Sequence, residues 1–104
     1  MALTKIKYGL LGDEFTTSAV LATDVDFSTA QVFTKTLSAN ATLTFSNDEI
    51  GMVKDLVITG DFTLTFPAGS KIVTGTYDGT VSNLIQIVVT GSSDYWVTIS
   101  QEAV

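Results

Sequence analysis

The carboxylates are the residues of this chain best suited to chemistry. Three clusters stand out: Asp13-Glu14, Asp24 with Asp26, and Asp48-Glu49. Paired carboxylates can share acid–base work in hydrolysis or hold a hard cation such as calcium. Adjacent residues of an extended chain point to opposite faces, so Asp13-Glu14 and Asp48-Glu49 do not converge if extended, whereas Asp24 and Asp26 share a face. That spacing equally suits a solvated strand edge, where charge discourages unwanted pairing. The ligand-rich loop of a calcium site is missing. Hydroxyls abound, but a Ser or Thr nucleophile needs an adjacent base. The chain has no His, Cys or Arg. The commonest general base, the thiol nucleophile and the bidentate phosphate clamp are therefore all excluded. No G-x-S-x-G, S-x-x-K or Walker pattern occurs. The Gly-containing stretches "GLLGDE" and "GTYDG" do not sit between a strand and a helix, as a phosphate cradle requires. The expectation is a protein that is not an enzyme, with no catalytic residues, no metal and no cofactor.

Aromatic side chains suggest a second chemistry. Tyr95 and Trp96 are adjacent, and Tyr77 lies eighteen residues before Tyr95. Aromatic faces stack on sugar rings, so these residues raise glycan binding. In an alternating strand, however, one of Tyr95 and Trp96 must point inward as core.

The 104 residues suit one domain, and the formal net charge is −6. Such a surface repels nucleic acid and anionic membranes, so neither is an expected partner. The acidity reads as solubility for a chain whose mean hydropathy is +0.38. No apolar run approaches the roughly 20 residues of a membrane-spanning helix. The opening "MALTKIKYGLLGDEF" has neither the h-region nor the A-x-A site of a signal peptide.

The elements that must position these residues read as strands. Thr, Val, Ile and Phe dominate, and no long window has helical periodicity. Residues 1–22 lack alternation and are interrupted by Gly9 and Gly12. They read as an irregular arm, either packed on the domain or docked on a neighbouring subunit. From residue 24 the pattern sharpens. "DVDF" reads as a short edge strand. "VFTKTLSANATLTFSN" (32–47) reads as a hairpin turning at Ser38-Ala39-Asn40, with Phe33, Leu37, Leu43 and Phe45 inward and Thr outward. "MVKDLVITG" (52–60) is a strand, with Lys54-Asp55 at its exposed end and Leu56-Val57-Ile58 as its buried part. "FTLTF" (62–66) is another, stopped by Pro67. "NLIQIVVT" (83–90) and "YWVTIS" (95–100) form a terminal hairpin. One face of 83–90 carries Ile85, Ile87 and Val89; the other carries Leu84, Gln86 and Val88. Apolar residues on both faces mark a central strand, or one whose outer face meets another chain. Seven or so short strands, with connections too short for helical crossovers, predict an all-β fold: a small antiparallel β-sandwich or barrel, jelly-roll-like, over 23–104.

The stretches "VFTKTLSANATLTFSN", "LVITGDFTLTFPAGSKI" and "DYWVTIS" together resemble a β-rich module of bacteriophage virion proteins. The matching residues are Phe33 through Asn47, Gly51, Leu56, Ile58, Phe66-Pro67-Ala68-Gly69 and Trp96, within a span of about 24–100. The opening "MALTKIKYGLL" is also similar to those of phage fibre and spike proteins. The resemblance implies a virion location and a structural role in capsid decoration, head fibres or tail fibres, commonly as a homotrimer. The module usually sits inside a longer chain. A sequence starting with Met and ending soon after the last strand is expected to be a small standalone virion subunit.

The site expectations follow. Leu84, Val88, Tyr95 and Trp96 are expected to form the self-association surface. Ile6, Tyr8, Leu10 and Leu11 are expected to attach the arm to other virion proteins of capsid or tail. The alternative is a tail-fibre module that binds a receptor or host-surface glycan, with Trp96 at its centre.

Overall fold

The computed structural model describes residues 18–20 and 22–103. Among them the fold is all-β, without a helix. The strands are β1 (Ser18–Val20), β2 (Asp24–Asp26), β3 (Val32–Thr36), β4 (Ala41–Thr42), β5 (Thr44–Ser46), β6 (Val53–Thr59), β7 (Leu64–Thr65), β8 (Ser70–Thr74), β9 (Asn83–Gly91) and β10 (Asp94–Gln101). Six of them build one sheet in the order β1-β3-β6-β9-β10-β8, while β2 pairs with β5 and β4 with β7. The segment 1–22 expected to be irregular thus contributes β1, an edge strand parallel to β3.

The predicted hairpin over 32–47 does not form. Its two halves pair with different neighbours: β3 runs parallel to β6, β5 to β2, and β4 to β7. Among the described residues five of the seven ladders are parallel, which corrects the antiparallel sandwich or barrel expected from the short connections. The expectation failed because a parallel crossover needs a dozen or so residues, not a helix. Here the return path from β3 to β6 is filled by β4 and β5, which belong to other sheets. The result is a solenoid-like stack of coils.

Coil spacing is visible in the register. Val32 lies beside Asp55, and Ala41 beside Leu64, each pair 23 residues apart. The sequence carries an echo of this in "TLTF" at 42–45 and again at 63–66. Those tetrapeptides do not stack in step, because Thr42 sits beside Thr65 rather than Thr63. The slip is two residues, which preserves the inward face.

The terminal hairpin forms as expected. β9 and β10 are antiparallel, and β9 also runs antiparallel to β6. Ile85, Ile87 and Val89 are buried, the opposite phase outward. Side chains from successive coils meet inside: Phe33 beside Leu56, Leu56 beside Ile85, and Ile85 beside Ile99. Val25 of β2 joins this buried set, as do Phe27 and Leu43 from the connecting segments. Each such side chain contributes about 1.5–3 kcal/mol through removal from water. Phe33, Leu37 and Leu43 are buried as expected, and Phe45 is partly so. In "FTLTF", Leu64 and Phe66 pack on the core while Phe62 remains exposed.

Among the described residues two polar ones, Lys54 and Asn83, are buried in this interior. Lys54, expected at an exposed end, is only 1 % exposed, and its Nζ donates to Gln31 Oε1 at 3.4 Å. It falls in phase with Leu56 and Ile58, so alternation carries it inward. Asn83, in phase with Ile85, is fully buried and ties down the segment before β9. Its Nδ2 donates to the carbonyls of Ile58, Asp78 and Val81 at 3.1, 2.7 and 3.0 Å. Its Oδ1 accepts from Asp78 N–H and from Gln101 Nε2 at 2.9 and 2.8 Å.

β8 is delimited by Gly69 and Gly75, with φ of +90° and +82°. A Cβ on them would lie 1.9 Å from the Ser93 carbonyl oxygen and 1.8 Å from that of Ile99. Only glycine lets β8 approach β10 this closely.

Candidate interaction surface

The outer face of the large sheet is where three of the four expected interface residues meet. In β9 the outward phase is Leu84, Gln86, Val88 and Thr90; in β10 it is Trp96, Thr98 and Ser100. Leu84 is 48 % exposed and Trp96 46 %, while Val88 is half-buried. Register joins them to β6: Val53 lies beside Val88 and Val88 beside Trp96, and Val57 lies beside Leu84. Two apolar rows therefore cross the face. Between them runs a polar row, in which Gln86 Nε2 donates to Asp55 Oδ1 at 3.1 Å.

Tyr95 does not belong to this surface. It is 5 % exposed and packs its ring edge-on against Phe45, with centroids 4.8 Å apart. Its hydroxyl donates to Asp48 Oδ2 at 3.0 Å. Burial, then the neighbouring Asp48 carboxylate, pushes the phenol above its usual range. The signal was available, since Tyr95, Val97 and Ile99 form the apolar phase of β10. Val57, expected within the buried part of its strand, is instead 37 % exposed on the outer face. It sits in a run of apolar residues, Leu56-Val57-Ile58, in which only pairing decides what the middle one covers.

At one end of the face, Lys71 of β8 pairs with Asp94. Its Nζ also sits over the Trp96 ring, 5.7 Å from the centroid. The Lys71 hydrogen bond holds the Asp94 carboxyl below the usual carboxylate range. Both partners are well exposed, so the pair orients Lys71 more than it stabilises the fold.

The carboxylate clusters are engaged otherwise. Asp24 accepts from Thr44 Oγ1 at 2.8 Å and from Ser46 Oγ at 2.6 Å. Asp26 Oδ1 accepts from the Ser28 backbone and hydroxyl and from Asn47 Nδ2. The Asn47 and Ser28 bonds keep the Asp26 carboxyl lowered. The Thr44, Ser46 and Asn47 bonds tie β2 to β5 and the residue after it, while the Ser28 bonds close a local turn. Among the described residues no three of His, Cys, Asp and Glu gather as a metal site. Tyr77 is part-buried and donates to the Gly60 carbonyl at 2.7 Å, so of the three aromatics that raised sugar binding only Trp96 presents its ring to solvent.

Ile6, Tyr8, Leu10 and Leu11, together with Asp13 and Glu14, lie outside the described residues.

No known protein family matches this chain, and neither a curated protein nor a solved structure does so. What the geometry defines is a class: an all-β, solenoid-like protein with one broad, partly apolar sheet face open to solvent.

Proposed function

We propose that this protein is a non-enzymatic structural component of a bacteriophage virion, a capsid-decorating or head-fibre subunit. It self-associates, as a trimer, and docks on other virion proteins through residues 1–22. The phage-like stretches at 32–47, 56–72 and 94–100 support the virion assignment. The observation that carries the structural role is the open face bearing Val57, Leu84 and Trp96, each more than a third exposed. Side chains of this size on one flat face suit assembly rather than a reaction. The test is immunogold labelling of intact phage particles with an antibody raised against the chain. Label on the head surface is the expected result. Its absence from particles that carry the gene would sink the reading.

A second reading, a glycan-binding tail-fibre module, is favoured by the exposed Trp96 ring beside Lys71 and Asp94. A glycan array with Trp96→Ala as the comparison separates the two. Sugar binding lost on substitution supports the tail-fibre reading, and binding that survives it removes Trp96 from the site.

A further inference from the structure

We infer that copies of this chain join head to tail by strand addition: residues 4–8 of one copy pair with the open edge of β8 in the next. The inference rests on the self-association in the proposed function and names the two surfaces that perform it.

β8 is the last strand of the large sheet, and among the described residues no strand pairs with its outer side. The Tyr95 N–H donates to the Gly69 carbonyl at 3.0 Å, which sets the phase of the β8–β10 ladder. In a parallel ladder alternate residues address the neighbour. Gly69 and Lys71 therefore turn their backbone groups to β10, and Ile72 turns both of its own outward. The register slips at Val73, so the regular open run centres on Ser70 to Ile72. The Ser70 N–H is taken by the Pro67 carbonyl, and the Ser70 carbonyl faces the open side with Ile72. A core row runs from Ile87 through Val97 to Ile72. The first two are fully buried, while Ile72, with no strand beyond it, is 50 % exposed. Backbone donors and acceptors at strand spacing, beside an exposed apolar side chain, define the occupant as an extended peptide.

Charge selects which peptide. The base on this strand, Lys71, is already matched by Asp94. Just past the end of β8, Asp78-Gly79 lies against Asp61, whose Cα is 2.6 Å from where a Cβ on Gly79 would stand. The surplus charge here is negative, so the edge takes a basic strand in preference to an acidic one. Residues 4–8 fit. Thr4, Ile6 and Tyr8 alternate with Lys5 and Lys7, giving one β-forming side and one basic side. This short run belongs to a segment that otherwise lacks alternation, and it lies outside the described residues. None of the described strands carries two Lys. Residues 1–12 hold two Lys and no acid, whereas 13–104 set three Lys against all eleven acids, a formal −8. The chain enters the described residues at β1, the edge of the sheet opposite β8. A segment that leaves one edge and is received at the other makes a heterologous contact, which closes into a ring where the rotation permits. A trimer is such a ring.

The test is sedimentation of the full chain at micromolar concentration, comparing the wild type, Ile72→Pro, Ile6→Asp and an equimolar mixture of the two variants. Ile72→Pro removes an N–H directed away from β10, a position where an edge strand tolerates proline. It blocks the receiving edge and keeps the arm; Ile6→Asp blocks the arm and keeps the edge. β-sheet circular dichroism establishes that each variant is folded. An oligomeric wild type, two monomeric variants and a mixture that forms a dimer support the inference, because the mixture holds one intact contact. That complementation also shows that neither variant lost association by misfolding. An oligomer that survives either substitution overturns the inference while leaving self-association intact. A mixture that stays monomeric overturns it as well. A monomeric wild type removes self-association and this contact together; particle labelling still tests the virion assignment independently.

Discussion

Asp78 and Asn83 clasp each other: the Asp78 N–H donates to Asn83 Oδ1 at 2.9 Å, and Asn83 Nδ2 returns a bond to the Asp78 carbonyl at 2.7 Å. The same amide reaches β6 through Ile58 and β10 through Gln101. One buried side chain thus fixes the passage between β8 and β9. Asn83→Ala leaves several of these groups without partners, and an unsatisfied buried group costs about 1–3 kcal/mol. The expected loss is about 2–4 kcal/mol in denaturant unfolding. A loss below about 0.5 kcal/mol would show that water replaces the amide freely.

Backbone proximity gives a second expectation. Gly75→Ala places a methyl against the Ile99 carbonyl and forces an L side chain into positive φ. The cost is about 2 kcal/mol or more. Hydrogen exchange at β8 should accelerate with it. Unchanged protection and thermal midpoint would contradict the close approach.

Alkaline pH probes the phenols of Tyr77, part-buried, and Tyr95, buried. Burial raises Tyr77, with Asp61 and Asp78 adding to it, and burial followed by Asp48 raises Tyr95. The fold holds these protons more tightly than the unfolded chain does. Their contribution to stability is therefore complete below the ordinary value of 10.0 and is lost as pH rises through the raised values. The denaturation midpoint should fall on passing above about pH 10. Tyr95→Phe should lose about 1 kcal/mol at neutral pH, from the Asp48 bond, and show a weaker alkaline decline. An alkaline decline identical to the wild type's would count against Tyr95 as its source.

Acid acts on the opposite sign. Asp26, Asp78 and Asp94 are lowered chiefly by side-chain hydrogen bonds from Asn47, Thr80 and Lys71 respectively. Their contribution is present above the ordinary value of 3.8 and is lost as pH falls through the depressed values. Unfolding midpoints measured from about pH 5 down to about pH 2 should decrease. In Asp26→Asn the side chain no longer titrates, so the slope should flatten. A slope equal to that of the wild type would remove Asp26 as a contributor.

The sequence alone determined which chemistry was excluded and which side of most strands is apolar. Without His, Cys or Arg, several mechanisms lack their reacting groups whatever the fold. The inward phase of β9 was readable because alternation is local, as were the outward positions of Leu84, Val88 and Trp96. Tertiary structure decided pairing. A period of two specifies a face and says nothing about the partner strand, so "VFTKTLSANATLTFSN" was equally compatible with a hairpin and with successive sides of one coil. It also decided which in-phase polar residues go inside. Lys54 and Asn83 carry the wrong chemistry for a core, and only neighbours such as Gln31, Asp78 and Gln101, distant in sequence or across a turn, make their burial tolerable. For Tyr95 and Trp96 the phase of β10 was legible in Val97 and Ile99, and tertiary structure decided what the inward ring meets. Either ring is large enough to serve as core, and the ladder that seats Tyr95 against Phe45 and Asp48 is built by contacts nearly fifty residues apart.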